Sequence, residues 1–395
     1  MKKLPILVLI ITIAIDMLGF GIIIPVLPIY ADQLGASEFT IGLIEASFAA
    51  AQFLFTPFWG GLSDRIGRRP VILISIGIMV LSYLVLANAT LIALVFLARI
   101  VSGIGAANLS AAQAFISDLV KPKERVKYFG YIGAAFGIGF IFGPPLGGYL
   151  KTNFGIEGLG YVAAGISTLN FLLAFFFLPE SNKEKNADSK LFKNPFTEIY
   201  RILPRPEIRS VLMIHFVFIM AFSMMQITAS LLWAKEYQLN EQEIGVMFAY
   251  VGISTALIQG LFVGKLSNIF GERRLFVVGN LMMAAGLASL PFAPPGGFLI
   301  LTIIALTLIS FGNAFVTPII SSLLSQNAKK KEQGKILGLA QSVGALSRVF
   351  GPSLGGFLFG LTYFMPNIVA GALMLLTTFM AFQLVKNKMR PQEAS

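Results

Sequence analysis

Cysteine is absent from this chain, and histidine occurs once, at His215. Without a thiol there is no disulfide, no thiolate metal site and no cysteine nucleophile. Charge is scarce too: only 12% of the 395 residues are Asp, Glu, Lys or Arg, against about 25% in soluble domains. No nucleotide-binding glycine loop occurs, because the Gly60–Gly67 run is not followed by Lys-Ser/Thr. These absences argue against an enzyme, and neither a metal nor a cofactor is expected. Energy for any work the protein does should come from an ion gradient.

What fills the chain is apolar. It is 56% hydrophobic with a mean hydropathy of +0.80, in runs of roughly 18 to 25 residues, each able to cross about 30 Å of hydrocarbon. Twelve spans are expected, at roughly 5–30, 40–62, 70–88, 90–112, 127–150, 159–178, 209–234, 241–264, 274–293, 297–321, 335–358 and 363–386. The first continues past Asp16, Pro25 and Pro28 to Tyr30 without a small-residue cleavage site, so it reads as a helix and not a leader. The one substantial hydrophilic connection divides the chain into an N-terminal bundle (1–179), a linker (180–208) and a C-terminal bundle (209–395).

The net charge of +11 would suggest nucleic acid in a soluble chain. Its distribution says otherwise. Arg99 and Arg348 lie inside spans and Lys151 and Lys235 in the loops of one side; every other Lys and Arg falls on the opposite side. The positive-inside rule makes that basic side, with both termini, cytoplasmic. The expected partners are therefore the lipid bilayer of the cytoplasmic membrane and a small molecule, with no nucleic acid.

The two halves look duplicated. Gly60-Gly61-Leu62-Ser63-Asp64-Arg65-Ile66-Gly67-Arg68-Arg69-Pro70 forms a charged hairpin between apolar runs, and Gly264 to Arg274 is a weaker copy. At one constant offset, Lys123-Glu124, Lys127 and Gly130 map onto Lys331-Glu332, Lys335 and Gly338. The same offset carries Gly143-Pro144 and Gly147-Gly148 onto Gly351-Pro352 and Gly355-Gly356. Duplicated membrane halves place a substrate site near the midplane, between repeats that rock against each other. Gly133, Gly137, Gly139 and Gly143 fall at helical spacing, which lets helices approach closely, while Pro144 and Pro145 remove backbone donors.

These segments resemble the signatures of the major facilitator superfamily. The hairpin is similar to its loop motif, and Arg99 to Ala107 to its arginine–glycine motif. The run of Gly139, Gly143, Pro144, Gly147 and Gly148 resembles the glycine–proline motif of its drug:proton antiporters. Asp16-Met17-Leu18-Gly19-Phe20-Gly21 with Pro25 and Pro28 is similar to the first helix of 12-span efflux pumps, particularly the tetracycline-efflux branch. Gln52 and Asp118 extend the likeness along the chain. The resemblance implies an all-α integral membrane protein, with 12 transmembrane helices in two pseudo-symmetric six-helix bundles, acting as a monomer by alternating access.

Four ionisable residues fall inside spans: Asp16, Glu45, Arg99 and Arg348. Each costs at least about 2.5 kcal/mol at the bilayer centre and normally faces a cavity or a partner. At about 1.5 Å per residue, Asp16 and Arg99 both come out near mid-depth. An Asp16–Arg99 ion pair that opens when Asp16 takes a proton is a workable coupling switch; a permanent structural pair is the plainer alternative. Glu45 sits closer to the outer surface, as a second proton site, a substrate counter-charge or a partner for Arg348. For His215, snorkelling or helix packing is the expected role. In the hairpin the resemblance makes Asp64 a latch on span 11, with Gly60, Arg65, Gly67, Arg68, Arg69 and Arg348 in the same gate; for Arg65, Arg68 and Arg69 the plainer alternative is a topology anchor. The second hairpin carries Asn268 there, so the latch should be asymmetric.

Candidate cavity contacts are Gln52, Asn108, Gln113, Met225, Gln226 and Asn313, within a chain of 36 Phe and 14 Met; aromatic and thioether surfaces suit apolar, variable ligands. Spans 3 and 9 lack the acid, and span 8 the histidine, common in tetracycline pumps. A proton-coupled exporter of amphiphilic drugs or toxic metabolites is the expected function. The alternative is an importer or proton symporter for a sugar or other nutrient, which the glycine–proline motif disfavours, and a non-transporting membrane protein is the third reading.

Overall fold

The computed structural model describes residues 3–120, 125–182, 191, 194, 196–197, 200, 204–328 and 333–389. Most of the linker, the basic residues of 121–124 and 329–331, and the C-terminal residues from 390 lie outside the described residues, as does the side chain of Lys335.

Among the described residues the regular structure is helical. In the first half the helices are α1 (Lys3–Ile23), α2 (Leu27–Gln33), α3 (Glu38–Ile66), α4 (Arg68–Ala87), α5 (Ile92–Ala106), α6 (Leu109–Leu119) and α7 (Arg125–Phe177). In the second they are α8 (Pro206–Lys235), α9 (Glu241–Ile258), α10 (Gly264–Phe270), α11 (Glu272–Ser289), α12 (Phe298–Asn327), α13 (Gln333–Leu361) and α14 (Met365–Met389). A π-helical turn, Gln259–Val263, links α9 to α10.

Among the described residues, ten stretches are long and apolar enough to cross a membrane. One of them, Tyr128–Phe177, has 50 residues; at about 1.5 Å each it exceeds twice the hydrocarbon thickness. Gly155, at φ +68, breaks it into two helices where other residues would be strained. The 29-residue α13 is not among the ten.

Local chemistry sets the helix ends. Ser37 caps α3, its Oγ accepting from the Thr40 amide at 3.2 Å. Asn240 and Glu243 form a reciprocal capping box at the start of α9, each side chain accepting the other's amide at 2.9 Å. Between α3 and α4 the chain turns at Gly67, whose φ of +113 needs glycine.

The chain forms two compact units. Unit 1 comprises Met1–Pro195 with Trp233–Ala249, and unit 2 comprises Phe196–Leu232 with Tyr250–Ser395. The turn from α8 to α9 thus belongs to unit 1. Within unit 1, Lys235 Nζ reaches Asp32 at 2.8 Å and Glu38 at 3.0 Å. There the backbone of Gln242 lies against Gly148, and that of Pro144 against Gly245, leaving no room for a side chain at either glycine.

The core of unit 1 runs through Leu9, Ile13, Trp59, Ile72, Ile76, Ala111, Phe115 and Ala174, from α1, α3, α4, α6 and the second part of α7. In unit 2, α11 packs on α12 and α14. Asn280 there accepts from Thr377 at 2.8 Å, which satisfies a polar pair that burial would otherwise penalise.

Candidate functional site

Close helix contact comes first, because it fixes where the polar groups fall. In unit 1 the row Gly139, Gly143, Gly147 of α7 lies on α1: a side chain at Gly143 would begin 2.5 Å from Gly21 Cα, and Gly139 and Gly147 abut the backbones of Met17 and Ile22. Helix backbones approach this closely only where glycine or another small residue lines the contact, here on α7 throughout and at Gly21 of α1. Gly133 and Gly137, on the same helix, face open space. The spacing therefore reads correctly as a contact face for Gly139 and Gly143, but not for its first two members.

Next to Met17 of that seam lies Asp16, 9% exposed. Its Oδ1 accepts from Asn170 Nδ2 at 3.0 Å, and Asn170 also donates to the Thr12 carbonyl at 3.1 Å. Asn108 and Tyr83 stand near the same carboxylate. Asn108 Nδ2 donates to Ser75 Oγ at 2.7 Å. The hydroxyls of Thr12 and Tyr83 and the Oδ1 of Asn170 are buried without a hydrogen-bond partner among the described residues. The pocket around Asp16 therefore holds unused donors and an unused acceptor.

Arg99 is bound elsewhere than the sequence suggested. Its Nη2 meets Glu45 Oε2 at 2.5 Å, and its guanidinium lies 4.2 Å from the centre of the Phe48 ring. The side chains of Arg99 and Glu45 are 5% and 15% exposed. The expected Asp16–Arg99 pair is thus replaced by a Glu45–Arg99 pair, a desolvated contact reinforced by the aromatic face. The register explains it: Glu45 and Arg99 stand equally far into α3 and α5, which begin at Glu38 and Ile92. Phe48 stacks on Phe20 at 5.3 Å, and Phe20 meets Phe140 edge-on at 6.2 Å, so the pair is tied to the α1–α7 seam.

At the hairpin, Arg68 Nη1 contacts Asp64 at 2.5 Å and Ser63 at 2.6 Å, while its Nε reaches Asp118 at 3.3 Å. Arg69 donates to the Phe175 carbonyl at 2.6 Å and lies over the Phe175 ring. Arg65 is half-buried, and Gly60 faces Ser110 of α6. The Glu180 carboxylate accepts the amides of Arg68 at 2.9 Å and Arg69 at 3.2 Å, capping α4 from the far end of unit 1. A Cβ at Gly67 would collide with that carboxylate. Sequence reasoning missed Glu180, Asn170 and Tyr83. Asn170 left a signal, as a lone amide inside an apolar span; Glu180, at the start of a polar stretch, left none.

In unit 2, α8 and α13 lie side by side in register. Gly344 faces His215, Gly351 faces Met220 and Ser223, and Gly355 faces Met224. His215 Nε2 lies 3.1 Å from the Ala340 carbonyl, the helix-packing role expected of it. Arg348 occupies the turn between Gly344 and Gly351 and is half-buried. Of the expected cavity residues, Gln52 bonds the Ala106 carbonyl at 3.2 Å, Asn313 accepts from Thr317 at 2.9 Å, and Gln113 and Gln226 are half-buried. Met225, 2% exposed, packs inside unit 2. Among the described residues no cluster of His, Cys, Asp or Glu has the make-up of a metal site.

Residues 9–231 and 211–395 match the family model of the Major Facilitator Superfamily. The chain belongs to that superfamily. It is 31% identical over 379 residues to "Multidrug resistance protein 2" of Bacillus subtilis (strain 168), covering 95% of this chain and 93% of that one. It is 28% identical to "Tetracycline resistance protein, class B" of Escherichia coli, covering 86% of this chain and 84% of the relative. Among solved structures, the human organic anion transporter MFSD10 (TETRAN) superposes with a TM-score of 0.73 at 26% identity, covering 96% of this chain and 99% of that one. The protein is a multi-pass membrane transporter of the major facilitator fold, in the branch of the efflux proteins, and not an enzyme.

Proposed function

We propose that this transporter is a proton-coupled antiporter that exports amphiphilic drugs or toxic metabolites by alternating access between an N-terminal bundle (1–179) and a C-terminal bundle (209–395). Twelve crossings, with both termini cytoplasmic, complete that reading. The observation that carries it is Asp16: a carboxyl group in the middle of α1, 9% exposed, whose hydrogen-bonding neighbours are the uncharged amides of Asn170 and Asn108. A membrane-depth carboxylate is expensive as an anion and far less so as an acid. Its pocket suits either state, since the Thr12 and Tyr83 hydroxyls can donate to the anion and the spare Asn170 oxygen can accept from the acid.

Arg99 supplies the other half of the switch. In the conformation described here Glu45 holds it, and no described residue supplies Asp16 with a cation; Tyr83 lies within electrostatic reach of both Asp16 and Arg99. Transfer of Arg99 from Glu45 to Asp16 would favour release of the Asp16 proton, and its return would favour uptake. The names of the relatives, multidrug and tetracycline resistance proteins, support export and an amphiphilic substrate. At the hairpin, Asp64 and Arg68 serve the cytoplasmic gate.

The test is accumulation of a panel of fluorescent cationic, neutral and anionic dyes in everted vesicles, with and without a proton gradient. Gradient-driven accumulation by the wild-type protein, absent in Asp16→Asn, is expected. Accumulation that ignores the proton gradient, or survives in Asp16→Asn, overturns the coupling.

A further inference from the structure

The two intramembrane arginines are treated very differently by their surroundings. Arg99 has a carboxylate at 2.5 Å and an aromatic face at 4.2 Å. Arg348, in the middle of the 29-residue α13, makes no hydrogen bond or ion pair among the described residues. A guanidinium at that depth costs at least about 2.5 kcal/mol unless something offsets it, and nothing described in this chain does. The helix contact does not require it either, because Phe140 holds the corresponding place in the first repeat.

Its position also leaves room beside it. Arg348 sits in the row Gly344, Gly351, Gly355, the face of α13 that meets α8. At Gly344 a side chain would begin 3.2 Å from His215 Nε2 and 4.0 Å from Arg348 Nη1, so the glycine keeps clear the space these two groups share. The His215 Nδ1 is buried with no hydrogen-bond partner among the described residues. A second polar atom in need of a partner thus accompanies the unpaired cation.

We propose that Arg348, with His215 beside it, binds the anionic group of the transported molecule, so that the substrate range includes amphiphiles carrying a carboxylate or sulfonate. This rests on the reading of the protein as an exporter and names the substrate class of that same transporter. Planar guanidinium matches a carboxylate bidentately, with a geometry that lysine does not reproduce. Arg348, half-buried, receives the anion in the space that Gly344 keeps clear between it and His215.

The experiment uses full-length protein in phosphatidylcholine nanodiscs and follows thermal unfolding with 2-naphthoate, 2-naphthamide and naphthalene-2-sulfonate as probes. A ligand that binds only the folded state raises the midpoint. The expected result is a saturable shift with naphthoate and sulfonate, and a shift at least about tenfold weaker in apparent affinity with the amide, the loss of a charged partner being worth that much. Arg348→Gln should erase the preference for the anion, Arg348→Lys should keep part of it, and Gly344→Val should block it with Arg348 intact. Because Arg348→Gln can fail for reasons of folding, Arg348→Phe, which installs the residue of the first repeat, serves as a second variant. Equal binding of naphthoate and naphthamide, naphthoate binding unchanged by both variants, or no saturable naphthoate binding up to its solubility limit would each overturn the proposal. Phosphatidylglycerol nanodiscs separate the sources of the anion: if that lipid abolishes naphthoate binding in the wild type, the site belongs to lipid headgroups and the substrate assignment fails. Gradient-driven transport of an uncharged dye, lost in Asp16→Asn, reports separately on proton coupling, so either reading can fail alone.

Discussion

The α1–α7 contact of unit 1 and the α8–α13 contact of unit 2 come from the same repeated sequence, and they have diverged in what they keep between the helices. In the first, Gly139, Gly143 and Gly147 bring two backbones together, and Phe140 closes the row against Phe20. In the second, Gly351 and Gly355 keep the close approach to α8, but Arg348 and His215 interrupt it with polar groups. The charge inventory is reversed as well: unit 1 holds a buried carboxylate, Asp16, that no described residue ion-pairs, and unit 2 an arginine of the same standing. Duplication supplied two equivalent grips; the divergence left one of them closed by Phe140 and put Arg348 and His215 into the other.

The contrast can be broken most severely at the first grip. Gly143→Val needs the α1 and α7 backbones to part, at a cost of about 1–3 kcal/mol or more from overpacking; folded protein recovered by size-exclusion chromatography should fall sharply. Normal yield and activity would show that the seam tolerates separation. Next comes Asp16→Asn, which keeps the fold and the Asn170 contact while removing the ionisable proton: concentrative transport should vanish and downhill exchange persist in proteoliposomes. Glu45→Gln should follow. It leaves Arg99 buried without its carboxylate, a loss of about 3–5 kcal/mol, visible as a lowered unfolding midpoint. Replacing both residues by methionine should recover most of that loss, and failure to recover would assign the pair a role beyond mutual compensation.

Asp64→Asn makes the first hairpin resemble the second, where Asn268 stands. Turnover should drop by about tenfold, equivalent to about 1.4 kcal/mol, while ligand affinity stays within error; a wild-type rate would remove Asp64 from the gate. Asn268→Asp should not restore it. The smallest effect belongs to Gly133→Ala. This glycine faces open space, so the exchange should be neutral or stabilise the helix by up to about 1 kcal/mol, and a clear loss of stability would mean that its face is covered.

Much of this was legible in the residues, and the misses have a common origin. The hairpin, the repeat and the seam are written in glycine spacing and in runs of charge, which are properties of the local chain. The partner of Arg99 was not legible, because depth along a helix is countable whereas the direction of a side chain around it depends on packing. The sequence offered Asp16 as that partner, and only the α3–α5 contact selects Glu45. Likewise Glu180 stands beyond α7 in sequence yet caps α4. The unit membership of Trp233–Ala249 was hidden for the same reason: its attachment is made by Lys235 and by backbone contacts at Gly148 and Gly245, which no periodicity announces.

That attachment has a consequence for the medium in which the protein works. The charged side chains that clasp the α8–α9 turn are 29% to 36% exposed, so the clasp sits in reach of dissolved ions. Exposed pairs of this kind contribute about 0.2–1 kcal/mol each, and screening contracts from about 8 Å at physiological ionic strength to about 3 Å at 1 M. Salt should therefore loosen this turn and leave the ring-covered Glu45–Arg99 pair almost untouched. Hydrogen exchange in the α8–α9 turn that rises with sodium chloride, and no longer does so in Lys235→Gln, would make the ionic strength of the surroundings a tuning knob for one end of the molecule; exchange indifferent to salt would show that the backbone contacts hold the turn unaided.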